Sequence, residues 1–145
     1  MNGFSLRKQL DTSYDAAIAR LPEVLKSEGF GVLTEIDTQA TLKAKLGVDI
    51  RRYKIFGACN PPFANQALAI DLEAGLMMPC NMVVYEDDHH NAVVLAIDPT
   101  SATAHAGSPQ LHELAEGIKA KLSRVLKKCE SFIQSQALTI EELYE

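Results

Sequence analysis

Two β-rich runs, CNMVVYED and NAVVLAID, are separated in the chain only by the polar tract DDHHN around residues 87–91. Short runs of Val, Met, Tyr and Ile divided by Asp, His and Asn read as a hairpin. A hairpin makes neighbours of two strands and orients them antiparallel. The rest of the chain has to build on that pair.

Upstream, strand-like and helix-like segments alternate. FSLRKQL has Phe4, Leu6 and Lys8 on one face of a strand. In DTSYDAAIARLPEVLKSEG, Thr12 or Ser13 can cap a helix whose stripe is Tyr14, Ala17, Ile18, Leu21 and Leu25. Pro22 conflicts with that helix because it removes a hydrogen bond to Ile18, and Gly29 supplies the stop. FGVLTEID is the next strand; Asp37 or Thr38 then caps a short helix that ends at Gly47. RRYKIFGAC is a third strand. Asn60 follows as the expected cap of a helix beginning at Pro61, where the missing N–H costs nothing. DLEAGLMMP continues as a less regular helical piece.

After the hairpin, PTSATAHAG is expected to be a loop, and Ser108 with Pro109 opens a long helix. Its apolar stripe is Leu111, Leu114, Ile118, Leu122, Val125, Cys129 and Phe132. The order β-α-β-α-β-α-β-β-α predicts a single compact α/β (α+β) domain, a mixed sheet with helices packed against it. The core spans about residues 3–135, and 136–145 form an acidic C-terminal tail, either a frayed last turn or a short docking helix.

Charge and hydropathy exclude whole classes of function. The net charge is -5, and the basic residues are scattered, which leaves no broad nucleic-acid surface. No apolar run reaches bilayer-spanning length, and MNGFSLRKQL lacks the layout of a secretory signal. The expected setting is the cytoplasm, where three cysteines stay reduced and any working cysteine acts as a thiolate.

Two of those cysteines stand in echoing phrases, Ala-Cys-Asn-Pro and Met-Pro-Cys-Asn, each at a boundary between elements. Cys59 precedes the Asn60 cap, where a helix start favours a thiolate. Cys80 begins the next strand. If the two strands are neighbours, both sulfurs lie near one sheet end and could bind a soft transition metal or cycle between dithiol and disulfide. The competing reading is that both are buried structural cysteines, since free Cys is among the most buried residue types and no CxxC or four-ligand set is present. Cys129 is assigned to the core. His105 lies in the small-residue loop as a candidate third ligand or base. His89 and His90, with Asp87 and Asp88, read as a solvated turn, and Met77 and Met78 as packing. No GxGxxG, P-loop, GxSxG or HExxH motif is present, so the sequence names no reaction.

GFGVLTEID, GACNPPFANQAL, GLMMPCNMVVYED and IDP, in this order and spacing, resemble the family called domain of unknown function 302, from about Tyr14 to Asp98. The resemblance implies a compact α/β domain that tends to form homodimers, and no enzyme class. Met78 stands where Leu often precedes the proline in that pattern.

Three readings follow. In the first, a cytoplasmic homodimer binds a small ligand or soft metal, or senses redox state, through Cys59 and Cys80, with Asn60 and Asn81 shaping the pocket and His105 as a third ligand. In the second, the chain is an interaction or structural module built on its long helix and acidic tail. The third, an enzyme, has the least support.

Overall fold

The computed structural model describes the backbone of residues 3–105 and 107–143, and side chains as far as Glu130. The elements in chain order are β1 (Ser5–Gln9), α1 (Tyr14–Ser27), β2 (Gly31–Asp37), α2 (Thr38–Leu46), β3 (Tyr53–Cys59) and α3 (Pro61–Ile70). A 3-10 segment (Leu72–Met77) follows, then β4 (Cys80–Glu86), β5 (Ala92–Ile97), α4 (Pro99–Thr103) and α5 (Pro109–Leu143).

The expected α/β architecture is present, with one correction. The sheet order is β1-β5-β4-β3-β2, and every pairing is antiparallel, so the sheet is not mixed. The reason lies in the crossovers. β2, β3 and β4 are sequential neighbours joined through α2 and α3, and each connection returns the chain antiparallel. β1 closes the far edge against β5, pairing Ser5 with Ile97 and Gln9 with Val93.

Local chemistry sets most boundaries. The Ser13 hydroxyl accepts from the Ala16 N–H at 3.1 Å and starts α1, which runs on through Pro22 to Ser27. Asp37 accepts from the Ala40 N–H at 3.0 Å and starts α2, which stops at Gly47 in the left-handed region. The hairpin turn is held by the Asp87 carboxylate, which accepts from the His89 and Asn91 N–H groups and leaves His89 and His90 exposed.

PTSATAHAG is not a plain loop. Asp98 accepts from the Thr100 N–H at 3.0 Å, and Pro99 opens the short helix α4. This is the same cap-then-proline start used at Ser108 and Pro109.

Phe56, Ala58, Met82, Val84, Ala92, Val94 and Ala96 share one sheet face and form the core with Leu21 and Leu25 of α1 and Leu122, Val125 and Cys129 of α5. Burying these side chains stabilises the fold by roughly 25 cal/mol per Å² of apolar surface. Phe132 and the acidic segment's side chains lie outside the described residues. A broad cleft of about 910 Å³ runs over the opposite face, along Phe4, Tyr53, Val83, Tyr85, Leu95 and Leu76. Among the described residues no helix is long and apolar enough to cross a membrane.

Candidate functional site

β3 and β4 are paired neighbours, with Ala58 opposite Cys80 and Gly57 opposite Asn81. Cys59 ends β3 and Cys80 begins β4, so the two thiols stand at one end of the sheet. Both line a cavity of about 100 Å³ at that end. Its walls are α3 (Phe63, Ala64, Ala67), the 3-10 segment, Met78 and Pro79, α4 and the first turns of α5 (Leu111, Leu114, Ile118). Among the described residues the lining carries no charged side chain.

α3 borders the cavity and meets the core through half-buried Phe63. PPFANQALAI is apolar and contains no charged residue, yet none of its residues is buried. Helices of such composition normally lie against a core. Here Phe63 reaches α5 at Gly117, where an added Cβ would come within 3.0 Å of the ring. Gly117 therefore lets the aromatic ring rest against the helix backbone and closes the far wall.

The start of α3 differs from the expected cap. Asn60 occupies the N-cap position but makes no side-chain capping bond. Its side-chain amide instead donates to the Glu28 carbonyl at 3.3 Å, tying α3 to the end of α1. Pro61 and Pro62 have no N–H, so two of the donors with which a helix start meets an anion are missing. The expected thiolate-stabilising helix end is correspondingly weakened.

The Cys80 thiol confirms the apolar character of the place. Burial, with a smaller contribution from the charge of Cys59, pushes it up to about 11. At neutral pH it is a protonated thiol. Cys129 is likewise raised to about 11 by burial and sits in the core, as expected from its place on the α5 stripe. All three cysteines are free.

The opposite wall is pinned by polar contacts. The Asp98 carboxylate receives the Lys119 ammonium at 2.9 Å and the Thr100 hydroxyl at 2.6 Å. Burial raises its pKa, but Thr100 and Lys119 outweigh that effect and hold it below the usual value. Thr103, which lines the cavity, has its hydroxyl 3.0 Å from His112 Nδ1. These contacts fix α4 against α5 as a rigid side.

Cys59, Cys80 and Asn60 are thus brought together, and Asn81 and His105 are not. Asn81 follows Cys80 in β4, so alternation turns it to the other sheet face, where it is exposed and lines the broad cleft. His105 is exposed and does not line the cavity. Among the described residues no three His, Cys, Asp or Glu side chains are grouped to hold a metal ion. Phe63, Ala67, Thr103, Met77 and Met78 are cavity residues that sequence reasoning passes over. For Phe63 and Ala67 the available signal is the absence of charge throughout α3; Met77, Met78 and Thr103 carry none.

The family model described as "Domain of unknown function DUF302" matches residues 6–129. Among solved structures, an uncharacterized conserved DUF302 protein from Bacillus stearothermophilus is 32% identical, with a TM-score of 0.83 over 88% of this chain and 99% of that one. No curated protein matches.

Proposed function

The chain belongs to the DUF302 family, and from that premise we propose that it binds a small, uncharged, mostly apolar molecule in the cavity at the Cys59–Cys80 sheet end. The carrying observation is an uncharged cavity of about 100 Å³ beneath a helix that is apolar but has no buried residue. A dry apolar cavity of about 150 Å³ holds benzene or xenon, which sets the size class of the ligand. The Cys59 and Cys80 thiols, the Thr103 hydroxyl and the Asn60 side chain are the polar groups near such a ligand.

Thermal unfolding with benzene or xenon tests this. Either probe raises the melting temperature of the wild type and shifts the methyl signals of Met77 and Met78. Ala67→Phe, which fills the cavity from α3, abolishes both effects. A wild type that shows neither effect overturns the reading.

A second reading uses the thiols of Cys59 and Cys80 themselves, as soft-metal ligands or a redox pair, without His105, which lies outside the cavity. Its support is that both cysteines line one cavity. The raised Cys80 pKa works against it near pH 7, because the thiolate is the ligand and the nucleophile. Titration with Zn²⁺ or Cu⁺ decides: equal uptake by wild type, Cys59→Ser and Cys80→Ser sinks it.

We further place the protein in the cytoplasm, in keeping with three free thiols, and as a homodimer joined through the open sheet face. That face presents Val83, Tyr85, Leu95 and Ile97 to the broad cleft. Among the described residues Arg7, on the edge strand β1, is the one charged side chain in the cleft lining. A two-fold pairing of such a patch keeps the two arginines at opposite edges. Light scattering across a concentration series tests the dimer; a constant monomer mass overturns it.

A further inference from the structure

Thr103 of α4 lines the cavity and is 7% exposed. Its hydroxyl lies 3.0 Å from Nδ1 of His112, in the first turn of α5. The other ring nitrogen, Nε2, lies 3.4 Å from Oε1 of Glu116, one turn further along the same helix. A carboxylate beside Nε2 favours the proton on that nitrogen. Nδ1 then keeps its lone pair, and the Thr103 hydroxyl donates to it. The contacts of this hydroxyl with the Pro99 and Thr100 carbonyls are longer, at 3.4 and 3.3 Å. A hydroxyl, an imidazole and a carboxylate thus stand in line, from the apolar cavity outward.

A weak oxygen nucleophile is activated by parts in this order: a base within hydrogen-bond reach, itself oriented by a third group. α4 and α5 hold the parts in place before any ligand arrives, because Asp98, which caps α4, pairs with Lys119 of α5 at 2.9 Å. Asn60 lines the same cavity. Its amide has two N–H donors, and among the described residues only one is used, in the bond to Glu28. The second is available to a carbonyl oxygen. The His112 and Glu116 side chains are 42% and 67% exposed, so water reaches the base from outside.

We propose that the molecule taken into the cavity is a small uncharged ester, and that Thr103 is acylated by it. The inference rests on the ligand reading above and deepens it. The Thr103 oxygen attacks the ester carbonyl carbon, and its proton passes to Nδ1 of His112. The second Asn60 N–H donates to the carbonyl oxygen as that atom gains charge. The bond to Thr103 forms, the bond to the alcohol oxygen breaks, and Nδ1 returns the proton to the departing alkoxide. Water then attacks the acyl-threonine with His112 again as base, which releases the acid and restores the hydroxyl. Thr103 and His112 are the catalytic residues. Glu116 is a positioning residue that acts through the imidazole tautomer.

Vinyl acetate tests this: it has as many heavy atoms as benzene, and its alcohol leaves as acetaldehyde, which cannot reverse the step. Wild type should release acetate and acetaldehyde, and mass spectrometry of the rapidly quenched reaction should find acetyl on Thr103. Thr103→Ser should keep the activity and Thr103→Val should lose it. His112→Gln should slow release about 100-fold or more, the lower end for loss of a general base. Glu116→Gln should lower kcat and leave KM, and the imidazole nitrogen shifts should show His112 no longer held as the Nε2–H tautomer. Benzene shifts of Met77 and Met78 in each variant show whether its cavity is intact. A wild type that binds benzene but releases acetate no faster than buffer overturns the ester reaction and leaves the ligand reading standing. Acetyl on Cys59 or Cys80 with none on Thr103, or a His112→Gln rate equal to wild type, overturns it as well. Absence of benzene binding in wild type overturns the ligand reading, and the ester reaction with it.

Discussion

The Asn60 side chain donates to the backbone carbonyl of Glu28 at 3.3 Å, so the residue that begins α3 ties off the end of α1. Asn60 is buried, and Gly29, next to the acceptor, has φ +82°. A Cβ at Gly29 would lie 3.1 Å from Asn60 Nδ2. The turn and the amide therefore depend on each other. Asn60→Ala should cost about 1 kcal/mol in urea unfolding, the usual worth of such a bond. Asn60→Asp should cost more, since a carboxylate cannot donate to Glu28. Gly29→Ala adds the left-handed penalty of about 1–2 kcal/mol. Equal stability of Asn60→Asp and wild type contradicts the role given to the amide.

Gly57 plays a comparable part beneath Pro79. A Cβ there would meet Pro79 Cγ at 2.7 Å and Thr34 Oγ1 still closer. The pyrrolidine ring of Pro79, whose peptide bond with Met78 is cis, lies against the bare backbone of β3. Gly57→Ala should destabilise the domain by about 1–3 kcal/mol, the range for overpacking. It should also displace Met78 and Pro79, and so alter benzene binding at the cavity. An unchanged unfolding midpoint removes Gly57 from this account.

How much of this was legible beforehand varies with the physics behind each element. The hairpin, the α1 stripe and the Asp37 cap announce themselves through local periodicity and side-chain chemistry. Asn60 was legible as a position and misleading as a cap, because its bond goes to Glu28, 32 residues away in sequence. α4 hid behind small residues, although Asp98 and Pro99 repeat the start seen at Ser108 and Pro109. The antiparallel sheet could not be read from element order, since crossovers through helices serve either orientation. Both cysteines were placed at one sheet end by strand adjacency. The charge state of Cys80 was not, because burial by α3, α4 and α5 is a tertiary fact. Asn81 was legible by contrast, since the residue after Cys80 in a strand points to the opposite face.

Acid stability should depend on Glu28. Its carboxylate, on α1's end, receives Arg124 at 3.0 Å and Lys128 at 3.1 Å from α5. Burial raises its pKa, and the hydrogen bonds from Lys128 and Arg124 outweigh that and bring it below 4.5. A depressed folded pKa means stability that is present above the unfolded value and lost as pH falls through the folded one. Asp98, held down by Thr100 and Lys119, acts in the same direction below 3.8. Unfolding free energy should be level from pH 7 to about 5 and fall below about 4.5. Glu28→Gln should lower the plateau and flatten the fall. A parallel decline in that variant and wild type shows that other groups govern the acid limb.

Alkaline stability tests the thiols in the opposite direction. Cys80 and Cys129 have folded pKa values of about 11 against an ordinary 9.0. Below pH 9 both states keep the proton, so the thiols add no pH dependence there. Between about 9 and 11 the unfolded chain loses protons that the folded chain retains, and stability declines by up to about 1.4 kcal/mol per pH unit for each thiol. Tyr14, raised first by burial and then by Asp37, adds to the decline above pH 10. Cys80→Ala and Cys129→Ala should each remove close to one thiol's share of the slope. Iodoacetamide gives an independent check, because it needs the thiolate. In the folded protein Cys80 should alkylate slowly at pH 7 and rise steeply only above pH 9. Rapid alkylation of Cys80 at pH 7 would show a thiolate already formed in the cavity. That result would favour the metal or redox reading over an apolar ligand.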